Sequence, residues 1–143
     1  MILTNEVIYL SLINWSDSYS VKVGSMDDEH KKLIDLMNKL HDAMSSGKSG
    51  DVMKDIIQGL VDYTKKHFSD EEKLMQDNNY PGLIEQQNMH KMFVTKIGIY
   101  KSDLDAGKVL SMEVMTFMKD WLINHIQGVD QKYGEFFNNL GIK

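Results

Sequence analysis

His67 and Glu71 place an imidazole and a carboxylate four residues apart in the stretch Tyr63-Thr64-Lys65-Lys66-His67-Phe68-Ser69-Asp70-Glu71-Glu72. The surrounding pattern is helical, so this spacing brings both side chains to one face, about 6 Å apart along the axis. The same face carries Ile56, Leu60, Tyr63 and later Leu74, and is otherwise apolar. A carboxylate aimed into an apolar interior needs partners, because an unpaired buried charge is costly. Three further stretches offer them: His30, His90 and His125 each fall on an apolar helical stripe. Any one of these histidines alone reads as a satisfied core residue. Four together, one per helix, would incur the cost of polar desolvation four times over without a metal.

A second carboxylate, Asp130, follows His125 by five residues, which is not a regular one-turn spacing. Gly128 lies between them and gives the backbone freedom to bend and turn Asp130 inward. The alternative is that Asp130 is the solvated start of a terminal helix. Imidazole and carboxylate without sulfur suit iron, with zinc, copper or manganese as competitors. Two carboxylates and four histidines exceed what one metal needs, and two bridged metals would use them better. His41 shares the face of His30 but lies eleven residues on, roughly 16 Å along the axis and too far for the same metal. It is assigned to packing or surface.

The elements that must position these groups are helices. The chain has 143 residues, one proline (Pro81) and long stretches without glycine or proline. This length fits one domain, 1–143, with a real core. Residues 1–24 lack a sustained helical period and read as an extended arm carrying Trp15. Ser25 is the expected cap of a helix over 25–46, in which His30, Leu33, Ile34, Met37, Leu40, His41 and Met44 repeat at threes and fours. Gly47 stops it. A second helix spans 50–76 from Ser49-Gly50-Asp51. The turn Asp77-Asn78-Asn79-Tyr80-Pro81-Gly82 leads into a third helix over 81–105, with Pro81 in its first turn. Its stripe is Leu83, Gln86, His90, Phe93, Ile97, Tyr100 and Leu104. A fourth over 110–127 shows Val114, Phe117, Met118, Trp121, Leu122 and His125, and 128–143 is a short terminal helix or turn. The expected fold is all-α: an antiparallel up-down-up-down four-helix bundle with an extended N-terminal arm and a short C-terminal helix. In that topology His30, His67, His90 and His125 all lie toward one end.

The bulk numbers exclude several classes. A net charge of −5 without a Lys/Arg cluster argues against nucleic acid. Zero cysteines removes disulfides, thiolate sites and cysteine nucleophiles, and suits a reducing cytoplasm. The apolar run Val7 to Ile13 is too short to span a bilayer, and no basic residue precedes it as a signal peptide requires. A cytoplasmic protein without membrane attachment is expected.

From about Trp15 to Tyr133 the sequence resembles the bacterial hemerythrins. The matching pieces are Met26-Asp27-Asp28-Glu29-His30, His67-Phe68-Ser69-Asp70-Glu71-Glu72, Tyr80-Pro81 followed by His90-Lys91-Met92-Phe93, and Trp121-Leu122-Ile123-Asn124-His125-Ile126-Gln127-Gly128-Val129-Asp130. Each is weak alone; in this order and spacing they are highly specific. The resemblance implies a non-haem di-iron centre, oxo- or hydroxo-bridged and cycling between Fe2+ and Fe3+, that binds O2 reversibly. By position, one iron would take His30 and His67, the other His90 and His125, with Glu71 and Asp130 bridging. Leu122 matches a leucine that shields the O2 ligand. Trp121 and Phe68 are candidate pocket walls, with core packing as the alternative for both. The family has a histidine four residues before His90, where this chain has Gln86. That glutamine could ligate weakly through its amide oxygen, hydrogen-bond a coordinated water, or leave a gap.

Reversible O2 binding for carriage, storage, delivery or sensing therefore leads, with a redox or O2-consuming protein as a partner to be expected. The competing classes are a di-iron enzyme acting on O2, NO or peroxide, which Gln86 favours, and a metal-storage bundle. A ferritin-like site is disfavoured, because Glu-x-x-His pairs are absent from these helices.

Overall fold

Three-and-four spacing of apolar residues produces the long helices that dominate the chain. The computed structural model describes residues 13–48, 50–110 and 112–143. Half of the expected arm, residues 1–12, and Ser49 at the expected start of the second helix lie outside the described residues. A 3-10 turn, Asp17–Tyr19, precedes α1 (Gly24–Ser45), α2 (Gly50–Asp77), α3 (Leu83–Asp105) and α4 (Met112–Asn124). A π-helical turn, His125–Asp130, then joins α4 directly to α5 (Gln131–Asn139). Helix α1 packs on α2, α2 on α3, and α4 returns against α1. Short connections between them give the four-helix bundle expected from the sequence, and no strand occurs among the described residues.

The helices stop for a shared reason. At the end of α1, Lys48 N–H donates to Ala43 O at 3.0 Å and Gly47 N–H to Met44 O at 3.3 Å. The end of α3 repeats this pair, from Lys108 to Asp103 at 2.9 Å and from Gly107 to Leu104 at 3.0 Å. This closure needs a left-handed residue just past the cap, which Gly47 (φ 64°), Gly107 (φ 84°) and, after α2, Asn79 (φ 56°) supply.

Two helix starts differ from the sequence expectation. Ser25 lies inside α1 and caps nothing; Val23 occupies the cap position without a side-chain hydrogen bond. Asp27 does the tethering instead, accepting from Ser20 Oγ at 2.6 Å and Val21 N–H at 2.8 Å. Pro81 and Gly82 remain in the turn, and α3 begins at Leu83. The preceding Tyr80 ring packs edge-on against Phe136 at 5.1 Å and Tyr133 at 6.5 Å, holding the turn down on α5 before the helix can start.

The buried stripes are also rotated from those the spacing predicts. On α2 the interior face is Met53, Ile57, Leu60, Thr64, His67 and Glu71, with Ile56, Tyr63 and Leu74 only half-buried. Thr64 is tolerated there because its hydroxyl donates to Leu60 O at 2.6 Å. On α4 the interior residues are Met115, Met118 and Leu122, while Val114, Phe117 and Trp121 sit at the margin. His41 is half-buried beside Asp42, in line with its assignment to packing or surface.

The described part of the arm, from Ile13 to Val23, lies along α1 and α5. Ile13 exchanges two 2.9 Å hydrogen bonds with the Asn38 amide, and Gln131 Nε2 donates to Ser18 O at 2.9 Å. Val21 and Val23 are buried. Gly134 is what lets the arm approach α5: a Cβ added there would lie 2.1 Å from Val21 O. Gly134→Ala is therefore expected to cost about 1–3 kcal/mol through forced displacement, despite the better helix propensity of alanine. Equilibrium urea unfolding of the variant measures it.

Candidate metal centre

Each interior histidine comes from a different stretch of helix: His30 from α1, His67 from α2, His90 from α3 and His125 from the start of the π turn. All four are at most 2% exposed, as are Glu71, Gln86 and Asp130. The π turn accounts for Asp130. Its wider winding, with i→i+5 bonding, brings a residue five positions after His125 back to the same side. Asp130 Oδ1 thus lies 3.1 Å from His125 Nε2. The expected bend at Gly128 is replaced by this continuous widened turn, and Asp130 is no solvated helix start.

The groups converge as two clusters that share one carboxylate. His30, His67 and Glu71 form one; Glu71, His90, His125 and Asp130 form the other, with donor atoms in each within 4.8 Å of one another. Glu71 Oε2 lies 3.2 Å from His30 Nε2, and its Oε1 lies 3.2 Å from His67 Nε2 and 3.4 Å from His90 Nε2. Asp130 reaches both sides as well, with Oδ2 3.3 Å from His30 Nε2. His41 belongs to neither cluster.

Charge in this interior is balanced pairwise. Burial alone would lower the pKa of His30, but hydrogen bonds to Asp130 and Glu71 overturn that and raise it to about 10. His67, likewise penalised by burial, is raised to about 9 by the charge of Glu71 and its hydrogen bonds to Glu29 and Glu71. Burial pushes Glu71 upward, yet the His67 charge and hydrogen bonds from His30, His67 and His90 hold it well below the usual carboxylate range.

Three residues around the clusters were not singled out for this role by the sequence. Glu29 accepts from His67 Nδ1 at 2.8 Å, and Glu72 accepts from His90 Nδ1 at 2.7 Å. A carboxylate on Nδ1 holds a proton there and turns Nε2 inward, where its lone pair becomes available once a cation displaces the second proton. Tyr133 donates its hydroxyl to Glu71 Oε2. The signal for Glu29 and Glu72 was adjacency: each neighbours a site residue, His30 or Glu71, in the chain. Their use by histidines of other helices needed the fold.

The donor set fits metal ions. His90 Nε2 and His125 Nε2 face each other at 3.2 Å, a meeting of two ring nitrogens that a shared cation would explain. Gln86 Oε1 is buried without a hydrogen-bond partner among the described residues, and Glu71 Oε1 and Asp130 Oδ2 meet only histidine Nε2 atoms, at 3.2 to 3.4 Å and without good hydrogen-bond geometry. Buried polar atoms are rarely left so unless something fills the space between them.

Aromatic rings enclose the second cluster. Phe68 stacks on the His90 ring at 3.8 Å and an interplanar angle of 2°, and Trp121 stacks on His125 at 4.4 Å and 12°. Trp121 also stacks on Phe93 at 4.2 Å. Leu122, 2% exposed, lies on α4 one turn before His125.

Fold and site together define a helical-bundle protein with a buried centre of histidines shared by carboxylates. Comparison with known proteins gives the family. A model described as the hemerythrin HHE cation binding domain matches residues 21–137. The bacteriohemerythrin of Stenotrophomonas maltophilia (strain R551-3) is 33% identical over 126 residues, covering 88% of this chain and 82% of its own. The myohemerythrin of Riftia pachyptila is 34% identical over 119 residues, covering 83% of this chain and 88% of its own. A crystal structure of wild-type hemerythrin superposes with a TM-score of 0.82 at 32% identity, covering 87% of this chain and 96% of that one. The chain belongs to the hemerythrin family, which implies a non-haem di-iron centre. No helix among the described residues is long and apolar enough to cross a membrane.

Metal loading should release protons. A histidine raised above its unfolded value of about 6.5 contributes stability that is full below that value and lost as pH rises through the folded pKa. For metal-free protein that loss runs from about pH 6.5 up through about 9 for His67 and about 10 for His30. A bound cation takes the place of those protons. Calorimetric loading near pH 7.5 in two buffers of different ionisation enthalpy is expected to show release of about two protons per chain. The gap in melting temperature between loaded and metal-free protein should widen from about pH 6.5 to 9.

Proposed function

We propose that this chain binds O2 reversibly at a di-iron centre, one iron held by His30 and His67 and the other by His90 and His125. Glu71 and Asp130 bridge them. The observation that carries this reading is the sharing of carboxylates: Glu71 belongs to both clusters, and Asp130 sets one oxygen toward His30 and the other toward His125. Family membership favours iron over the other metals that this donor set accepts.

Iron, when bound, would supply the electrons that O2 takes up. The chain's own residues do the rest. Glu29 and Glu72 orient His67 and His90 through Nδ1 so that Nε2 faces inward. Tyr133 holds one oxygen of Glu71 and so fixes that carboxylate's rotation. Phe68, Trp121 and Leu122 wall the site with apolar surface, which keeps water and protons from a reduced centre and favours reversibility over irreversible oxidation.

Anaerobic titration with ferrous iron tests the assignment. Two iron ions per chain are expected for the protein and for His41→Ala, with fewer for Asp130→Ala. One ion per chain, or two in the Asp130 variant, would contradict the bridging reading.

A further inference from the structure

Gln86 sits beside the second cluster in an unusual state. It is 1% exposed, its Nε2 donates to Asp130 Oδ1 at 3.1 Å, and its Oε1 has no partner among the described residues. It lies four residues before His90 on the same face of α3, so a side chain at 86 reaches the space beside His90. On that side the chain supplies two imidazoles, His90 and His125, and the carboxylates Glu71 and Asp130. Two histidines with carboxylate are the donor set that leaves positions open to exogenous ligands on a divalent metal. The His30–His67 side is built likewise from two imidazoles and the same carboxylates.

We propose that Gln86 marks a second position for an exogenous ligand, on the His90–His125 side. The position holds a water whose hydrogen bond Gln86 Oε1 accepts, and it takes up a small anion in exchange. The inference rests on the dinuclear reading above. Gln86 acts here as a positioning residue: its amide N–H steadies Asp130, while its oxygen faces the exchangeable ligand. The unpartnered Oε1 is then explained, because a buried amide oxygen otherwise forfeits a hydrogen bond. The two halves of the centre become matched, each with two histidines and an open position. A histidine at 86 would close one of them.

The test uses full-length protein loaded with cobalt(II), whose visible bands respond to coordination number, and azide as the probe. The expected result is two cobalt ions and two azide equivalents per chain for the protein, and two cobalt ions but one azide for Gln86→His. Gln86→Leu, which removes the amide without adding a ligand, should keep two azides. A single azide equivalent on the two-cobalt protein would overturn the second position while leaving the dinuclear centre standing; one azide rising to two in Gln86→Leu would show that the amide itself ligates. Fewer than two cobalt ions would overturn both readings.

Discussion

Glu71→Ala is expected to lower the metal content from about two ions per chain to one at most, and to destabilise the metal-free protein by about 3–5 kcal/mol. Among the described residues, Glu71 is the carboxylate that belongs to both clusters. It sits within 3.4 Å of His30, His67 and His90 and accepts the Tyr133 hydroxyl. Its removal leaves raised-pKa histidines in a dry interior without their principal counter-charge, and strands the Tyr133 hydroxyl. Replacing one partner of a buried ionic network costs more than the network contributes net, because the remaining charge cannot regain water. Glu71→Gln separates the two roles: it keeps the volume and an acceptor for Tyr133 but removes the charge. Elemental analysis after gel filtration reads the metal, and guanidinium unfolding of chelated protein reads the stability. Two retained ions in Glu71→Ala would remove Glu71 from the ligand set.

Phe68→Ala is expected to cost about 3–5 kcal/mol, the range for an aromatic removed from a packed core. The ring contacts His90, Phe93, Trp121 and His125 in one cluster. Its second effect is on access. Phe68, Glu72 and His90 form part of the floor of an open groove of about 660 Å³ between α2 and α3, rimmed by Lys65, Lys73 and Lys91. Phe68, stacked on the His90 ring, covers one face of that imidazole where the groove reaches it. Truncation should admit water and speed oxidation of the ferrous protein in air, whereas Phe68→Leu, retaining most of the apolar wall, should be slower to oxidise than alanine. Stopped-flow absorbance after mixing with air-saturated buffer distinguishes them; equal rates for both variants and the parent would assign Phe68 to packing alone.

Much of this architecture was legible in the chain because helices write their period into the sequence. The stripe His30, Leu33, Ile34, Met37 and Leu40 appears in α1 as read, and Gln86, His90, Phe93 and Ile97 do so in α3. Alternating helix direction puts the four histidines toward one end of the bundle, and the structure brings them together. Where apolar residues cover more than one face, the period locates a helix but not its rotation. Ile56, Tyr63 and Leu74 thus fit the helical period yet stand beside the interior of α2, which Ile57, Thr64 and Phe68 hold.

The π turn was invisible for a different reason. A single extra residue between His125 and Asp130 changes no propensity, and Gly128 offered a simpler explanation. The α3 start differs from the expected residue 81 because Pro81 suits a first turn locally, while packing of Tyr80 against α5 decides it. Glu29 and Glu72 are each rotated about 100° from their chain neighbours His30 and Glu71, so nothing local ties them to His67 and His90. Only the assembled bundle does.

The most direct measurement is optical gas exchange on the iron-loaded protein. It is reduced without air, exposed to O2, and followed in the visible through repeated cycles of O2 and argon. The expected result is an absorption that appears with O2, saturates at one O2 per two irons, and disappears on its removal over several cycles. Direct conversion to a stable oxidised spectrum that argon does not reverse would contradict reversible binding.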